Sequence, residues 1–221
     1  LIKGGTRPLV LGAENTYSGN TTVNGGILLL TGNGSISSSA NIFITAGATL
    51  DASARNDATL TLAAAQTISG NGTLNGNVVV GDGAALAPGN SIGTLAFDGD
   101  LNLNGGSTTV MAVDKNAISS NSVAQVAGSL TCGGTLLITN LGSIPFAAGD
   151  SFKLFNAAKY NGTFTNIVPA IPGINLAWDA DGLTNGVLSV VSQPTPSPEF
   201  GALKLSGGNM ILSGSNGVPD W

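Results

Sequence analysis

Apolar positions in this chain come in short runs, not at helical spacing. Leu9-Val10-Leu11, Ile27-Leu28-Leu29-Leu30, Ile42-Phe43-Ile44 and Val78-Val79-Val80 are rich in branched residues and are broken by Gly, Asn and Asp. Runs of this kind between turn formers predict strands. They are expected at 9–11, 21–23, 27–30, 42–44, 48–51, 59–62, 77–80, 84–87, 94–97, 101–103, 108–113, 122–126, 134–139, 152–155, 163–167 and 187–191. The best helical stretch, Ala63-Ala64-Ala65-Gln66, is too short to hold a helix.

The joints between runs are Asn24-Gly25-Gly26, Gly32-Asn33-Gly34, Asn75-Gly76, Asp82-Gly83, Asp98-Gly99, Asn104-Gly105 and Asn185-Gly186. Asn-Gly and Asp-Gly supply the positive φ of a tight turn, and in isolation they read as hairpins. A hairpin sandwich, however, would show clean in–out alternation and large core aromatics. Only 5% of residues are aromatic, and the apolar residues are small to medium. Corners of a parallel solenoid fit better.

The runs also recur. Val23-Asn24-Gly25-Gly26-Ile27 is echoed by Leu103-Asn104-Gly105-Gly106-Ser107, and Ile44-Thr45-Ala46-Gly47-Ala48 by Val80-Gly81-Asp82-Gly83-Ala84. Coils stacked like over like bury a core that no single coil could bury.

Composition sharpens this picture. Only 9% of residues are charged, against about 25% in an ordinary domain. The surface must therefore be covered by Thr, Ser, Asn and the 33 Gly. Seven cations, Lys3, Arg7, Arg55, Lys115, Lys153, Lys159 and Lys204, are scattered through a chain of net charge −5. They form no cluster for nucleic acid or for an anionic membrane surface. No apolar run approaches the roughly 18 residues of a membrane-spanning helix. The chain starts at Leu1 with no basic-then-apolar leader, as expected of a mature or trimmed fragment. Cys132, the one cysteine, reads as a small strand residue.

At residues 192–199 the composition changes. Alternating Pro194, Pro196 and Pro198 predict an extended linker, followed by a tail at 200–221 with a possible hairpin around 202–205 and 210–212. The tail is too short for a core of its own and reads as a docking segment or the start of a second module.

Asn15-Thr16-Tyr17-Ser18-Gly19, followed by Thr22-Val23-Asn24-Gly25-Gly26, closely resembles the autotransporter-associated β-strand repeat, also called the passenger-associated transport repeat. Leu86-Ala87-Pro88-Gly89-Asn90-Ser91-Ile92-Gly93-Thr94-Leu95 resembles a second hallmark of such passengers. Phe152–Phe155, Tyr160-Asn161-Gly162-Thr163-Phe164 and Leu176-Ala177-Trp178-Asp179 resemble their closing segment. The resemblance spans residues 9 to 191. It implies an all-β chain: a right-handed parallel β-helix (β-solenoid) over 1–191, with a short C-terminal β tail after the Pro-rich linker. It also implies an extracellular location, on the outside of a Gram-negative-type cell.

Candidate chemistry is sparse. With no His, the commonest general base and zinc ligand are missing, and a Ser–His–Asp or Cys–His arrangement is impossible within the chain. Some parallel β-helices cleave polysaccharides, so the pairs Asp98/Asp100 and Asp179/Asp181 are candidate acid/base carboxylates and candidate calcium ligands. Both pairs also lie in ordinary turn sequences. Tyr17, Tyr160, Trp178 and Trp221 could stack on sugars, but packing is the plainer role. Asn-Gly-Thr and Asn-Gly-Ser triplets at Asn33, Asn71 and Asn161 follow from composition. No catalytic, cofactor-binding or metal-ligating residue is assigned. The expected function is structural: a solenoid that joins head to tail into a fibre or matrix through its open ends. The alternatives are an adhesin passenger that binds a glycan or cell surface and, less favoured, a polysaccharide-cleaving enzyme.

Overall fold

The computed structural model describes residues 1–117 and 120–193, and the backbone of four short strands, Glu199–Phe200, Lys204–Ser206, Asn209–Ile211 and Gly214–Ser215. It is a parallel β-solenoid. Eight strands stack into one sheet, here sheet one: Ile2–Lys3, Thr21–Val23, Asn41–Ile44, Thr67–Gly70, Ala85–Pro88, Thr108–Val113, Thr135–Asn140 and Asn166–Val168. Their spatial order is their chain order, as it must be when each coil lies on the one before.

A second parallel sheet covers the other two faces. It folds back at the long strand Val123–Cys132, which pairs with Thr94–Phe97 through Val123–Val126 and with Leu101–Leu103 through Leu130 and Thr131. The bend is a register shift between Val126 and Ser129. The strand expected at 122–126 therefore continues around a corner. A β-bulge supplies that turn without ending the pairing.

Alternate side chains point inward and form columns. In sheet one, Thr21, Ile42, Ile68, Leu86, Thr109 and Leu136 lie in register and are buried. Leu28, Leu50, Leu74, Phe97 and Val126 form the second column, and Leu60, Val78, Leu101 and Leu130 the third. Each fully buried apolar side chain contributes roughly 1.5–3 kcal/mol, and it does so only because coils lie above and below it.

Coil length is not constant. Leu86 stacks on Ile68, 18 residues earlier, whereas Ile167 stacks on Leu136, 31 residues earlier. The echoes read in the sequence join the wrong partners for this reason. Val23 stacks on Ile44, and Val80 on Leu103. The first two residues precede a corner leaving sheet one, and the last two a corner entering it. Small-residue corners look alike wherever they stand in the coil. Asn185-Gly186 differs again, since it leads into an antiparallel strand and not a solenoid corner.

Strands Thr67–Gly70 and Thr73–Asn75, hidden in sequence by Gly70-Asn71-Gly72, were not expected. Ala63–Gln66 is a turn, with Ala65 at φ 65°.

The solenoid ends in an antiparallel sheet of Ser151–Lys153, Val187–Ser192 and Leu176–Asp179, so the strand at 187–191 is placed correctly but is not part of the coil stack. Phe152, Leu154, Leu188 and Val190 are buried in the common core. Phe146 meets Phe152 and Trp178 edge to face, at 5.7 and 5.2 Å. These rings are bulkier than the aliphatic columns and fill the end of the core. In the tail, Lys204–Ser206 pairs antiparallel with Asn209–Ile211, close to the expected hairpin. Residues 194–198 of the linker, and Trp221, lie outside the described residues.

Candidate functional site

The polar side chains singled out in the sequence sit at corners. Asp100 follows the corner Asp98-Gly99, and its Oδ1 accepts the amide of Ser129 one coil on, at 2.7 Å. Its own amide donates to Asn77 Oδ1 one coil back, at 3.1 Å. Asp100 thus ties three coils together. Gly128 makes this possible, because a Cβ there would stand 2.2 Å from Asp100 Oδ1. Asp98 is exposed, and its amide continues the ladder to the Leu74 carbonyl at 2.9 Å. Asp179 Oδ1 accepts the amide of Asp181 at 3.1 Å and starts the 3-10 turn Asp181–Asn185. Among the described residues, no three Cys, Asp and Glu side chains gather in a way that could hold a metal. No helix there is long and apolar enough to cross a membrane.

Three of the aromatic candidates, Tyr17, Tyr160 and Trp178, are half-buried and hydrogen-bonded. Tyr17 shares a hydrogen bond with buried Thr21 (2.8 Å), Thr21 with Ser39 (2.8 Å), and the Ser39 hydroxyl donates to the Gly19 carbonyl (2.9 Å). One coil on, buried Gln66 donates to the Ile36 and Ser39 carbonyls at 3.0 and 2.6 Å and accepts the Ala63 amide at 2.8 Å. Tyr17, Thr21, Ser39 and Gln66 form a satisfied polar column inside one corner. Asn15, also in the quoted motif, donates through Nδ2 to the Ala13 and Ser35 carbonyls. Tyr160 takes the Ala157 amide on its hydroxyl and donates to the Phe155 carbonyl. Trp178 donates to the Pro169 carbonyl at 2.8 Å.

Cys132 is buried at the end of its strand, and burial pushes its thiol up to about 12. A protonated thiol there is a weak nucleophile. Beside it, a hollow of about 330 Å³ lies between the last coil and the 3-10 turn, lined by Tyr160, Phe164, Ile167 and Leu183.

In the sequence Lys3 is only one of the scattered cations. It occupies an inward position in the first coil, stacked on Val23, and only 5% of it is exposed. Its stem covers the end of the core, and its ammonium donates to the carbonyls of Gly4 (2.9 Å), Gly5 (2.9 Å) and Gly25 (2.7 Å). An inward-pointing charge on an edge strand blunts that edge against indiscriminate pairing. One lysine among Gly residues carries no sequence signal of this role.

Two carboxylates titrate abnormally. Burial raises the Asp51 carboxyl, but the Ser53 hydroxyl and amide and the Asn75 amide outweigh it, so the group lies below its ordinary 3.8. Arg55 and then the Thr59 amide lower Asp57. Both groups bind protons less readily when folded. Their stabilisation is complete above the ordinary carboxylate value and is lost as pH falls through the folded values. Without His, no side chain of ordinary pKa changes charge between pH 5 and 8. Thermal melts should be level from pH 8 to 5 and fall below about pH 4. A loss centred near pH 6 would contradict this assignment.

Scanned against protein-family models, the chain matches none, and no curated protein matches it either.

Proposed function

We propose that this chain is a structural element of an extracellular surface, a rod that joins end to end with further coils of the same kind. The observation that supports this reading most is how its polar groups are used. Asp100, Gln66, Asn15 and the Tyr17–Thr21–Ser39 chain each bond to the backbone or side chains of neighbouring coils. Asn20–Asn41 and Asn33–Asn56 amide pairs, at 2.9 and 2.8 Å, continue this outside. Groups spent on holding coils together serve length and stiffness.

Apart from the edge at Ile2–Lys3, which Lys3 blunts, sheet one ends in Asn166–Val168 and the second sheet begins with Leu9–Leu11; each of these two has one parallel neighbour. Such edges accept another strand by β-augmentation. The residue likeness to autotransporter passengers supports the outer surface of a Gram-negative-type cell as the location. An adhesive passenger that binds a glycan or cell surface is the second reading, favoured by the largely uncharged, Thr- and Asn-rich exterior.

Negative-stain microscopy and light scattering across a concentration series test the proposal. Rods that lengthen with concentration at constant width are expected. Discrete short rods at every concentration would sink the end-to-end reading in favour of the adhesive one.

A further inference from the structure

The outer side of sheet one has no charge. Of all residues in its eight strands only Lys3 is charged, and Lys3 points inward. The strands of the second sheet, by contrast, carry Asp51, Arg55 and Lys159. Along the middle of sheet one runs an outward column: Thr22, Phe43, Ser69 and Ala87, then Val110, Leu137 and Val168. It becomes wholly apolar from Ala87 onward, and Val168 is 43% exposed. Beside it lies a shallow hollow of about 230 Å³, lined by Ala87, Val110, Ala112, Thr139 and Leu141. Asp82 and Asp114, the nearest carboxylates in sequence to these strands, flank them at corners.

We propose that this face pairs with the same face of a second copy, so that rods associate side by side as well as end to end. The inference rests on the structural reading above but uses a different surface. Three observations select a second copy as the occupant. Copies of net charge −5 repel one another, and repulsion is least where the surface carries no charge. A sheet whose strands stack in regular register presents parallel columns that can pair with themselves under a two-fold axis, and sheets pack face to face at about 10 Å. A sugar site needs fixed, convergent polar groups, whereas from Ala87 onward this column offers only aliphatic side chains. The area sets the strength. Eight strands at about 4.8 Å spacing and about 15 Å of strand length give roughly 500 Å². Stable complexes bury about 800 Å² per partner. Pairing therefore belongs to high local concentration, as at a crowded surface, and not to a permanent dimer.

The test compares wild type with Val110→Lys/Leu137→Lys by microscopy and small-angle scattering, with thermal melts as a check on folding. A second variant, Ala87→Cys, places a thiol at the column's midpoint, where a two-fold axis brings it against itself. Expected are wild-type rods that double in width at high concentration, single-width rods for the lysine variant, and a covalent dimer of Ala87→Cys, but not of wild type, on treatment with a short bismaleimide that spans the gap between facing sheets. Wild-type rods that lengthen but never widen, with no covalent dimer, overturn this inference and leave the end-to-end reading standing. Rods that widen but never lengthen do the reverse. Single rods that instead bind dextran, and lose it in the lysine variant, would assign the face to a neutral glycan and overturn the pairing.

Discussion

Replacing Gly70 by alanine should lower the melting temperature by about 10 °C, corresponding to about 3–4 kcal/mol in a chain of this size. Gly70 sits at an inward position of sheet one with φ 113°. A Cβ there would stand 2.0 Å from the Ile44 carbonyl oxygen and 2.8 Å from the Ile44 nitrogen. Backbone cannot move aside as the end of a side chain can. Thr67–Gly70 is also paired on both sides, with Asn41–Ile44 and with Ala85–Pro88, so any shift passes into two coils. Gly47→Ala is the control. Gly47 has φ 77° but open space around its missing Cβ, so its replacement should cost about 1 kcal/mol, from the backbone angle alone. Equal melting of the two variants by circular dichroism would remove close coil approach as the reason for Gly70.

Gln66→Ala is expected to be as damaging, at about 3–5 kcal/mol. It orphans the Ser39 carbonyl and the Ala63 amide, each of which costs about 1–3 kcal/mol when buried without a partner, and takes the second donor from the Ile36 carbonyl, which keeps the Ser39 amide. Gln66→Glu gives a sharper test. Its carboxylate would face two carbonyl oxygens in a site only 3% exposed, so the fold would favour the protonated form and raise the pKa of the new group. The sign is then opposite to that of Asp51 and Asp57. The variant should be weakest at neutral pH and recover as pH falls toward 5, where wild type is level. Urea melts at pH 7.5 and 5 decide the matter; a pH-independent loss would mean that the amide donors are not what holds this corner.

The strands and the solenoid itself were legible because they depend on local chemistry. Val78-Val79-Val80 between Asn77 and Gly81 can be little else but a buried-outward-buried strand. Stacking was less legible. The partner of Val80 is fixed by which residue lies one coil away, and that distance varies with the length of every corner. Gly70 and Gly72 give no hint of their role, because a glycine required by a neighbouring carbonyl looks the same in sequence as one required by its own φ. The roles of Lys3 and Gln66 are hidden for a related reason: a buried polar residue is recognised by its partners, and the decisive ones here are backbone carbonyls 22 to 30 residues away. The aspartates of the corner pairs were visible as candidates, but their engagement by Ser129 and by the 3-10 turn was not.

The irregular coils have a mechanical consequence. The strands lie across the axis, so the hydrogen bonds between coils point along it, and a pull on the two ends loads them a few at a time. The rod should yield coil by coil, like tape drawn from a roll. Each release pays out the contour length of one coil, from about 60 Å for the 18 residues between Ile68 and Leu86 to about 105 Å for the 31 between Leu136 and Ile167. A tether made this way absorbs work over a long extension at modest force, and the unequal corners spread that extension over steps of different size.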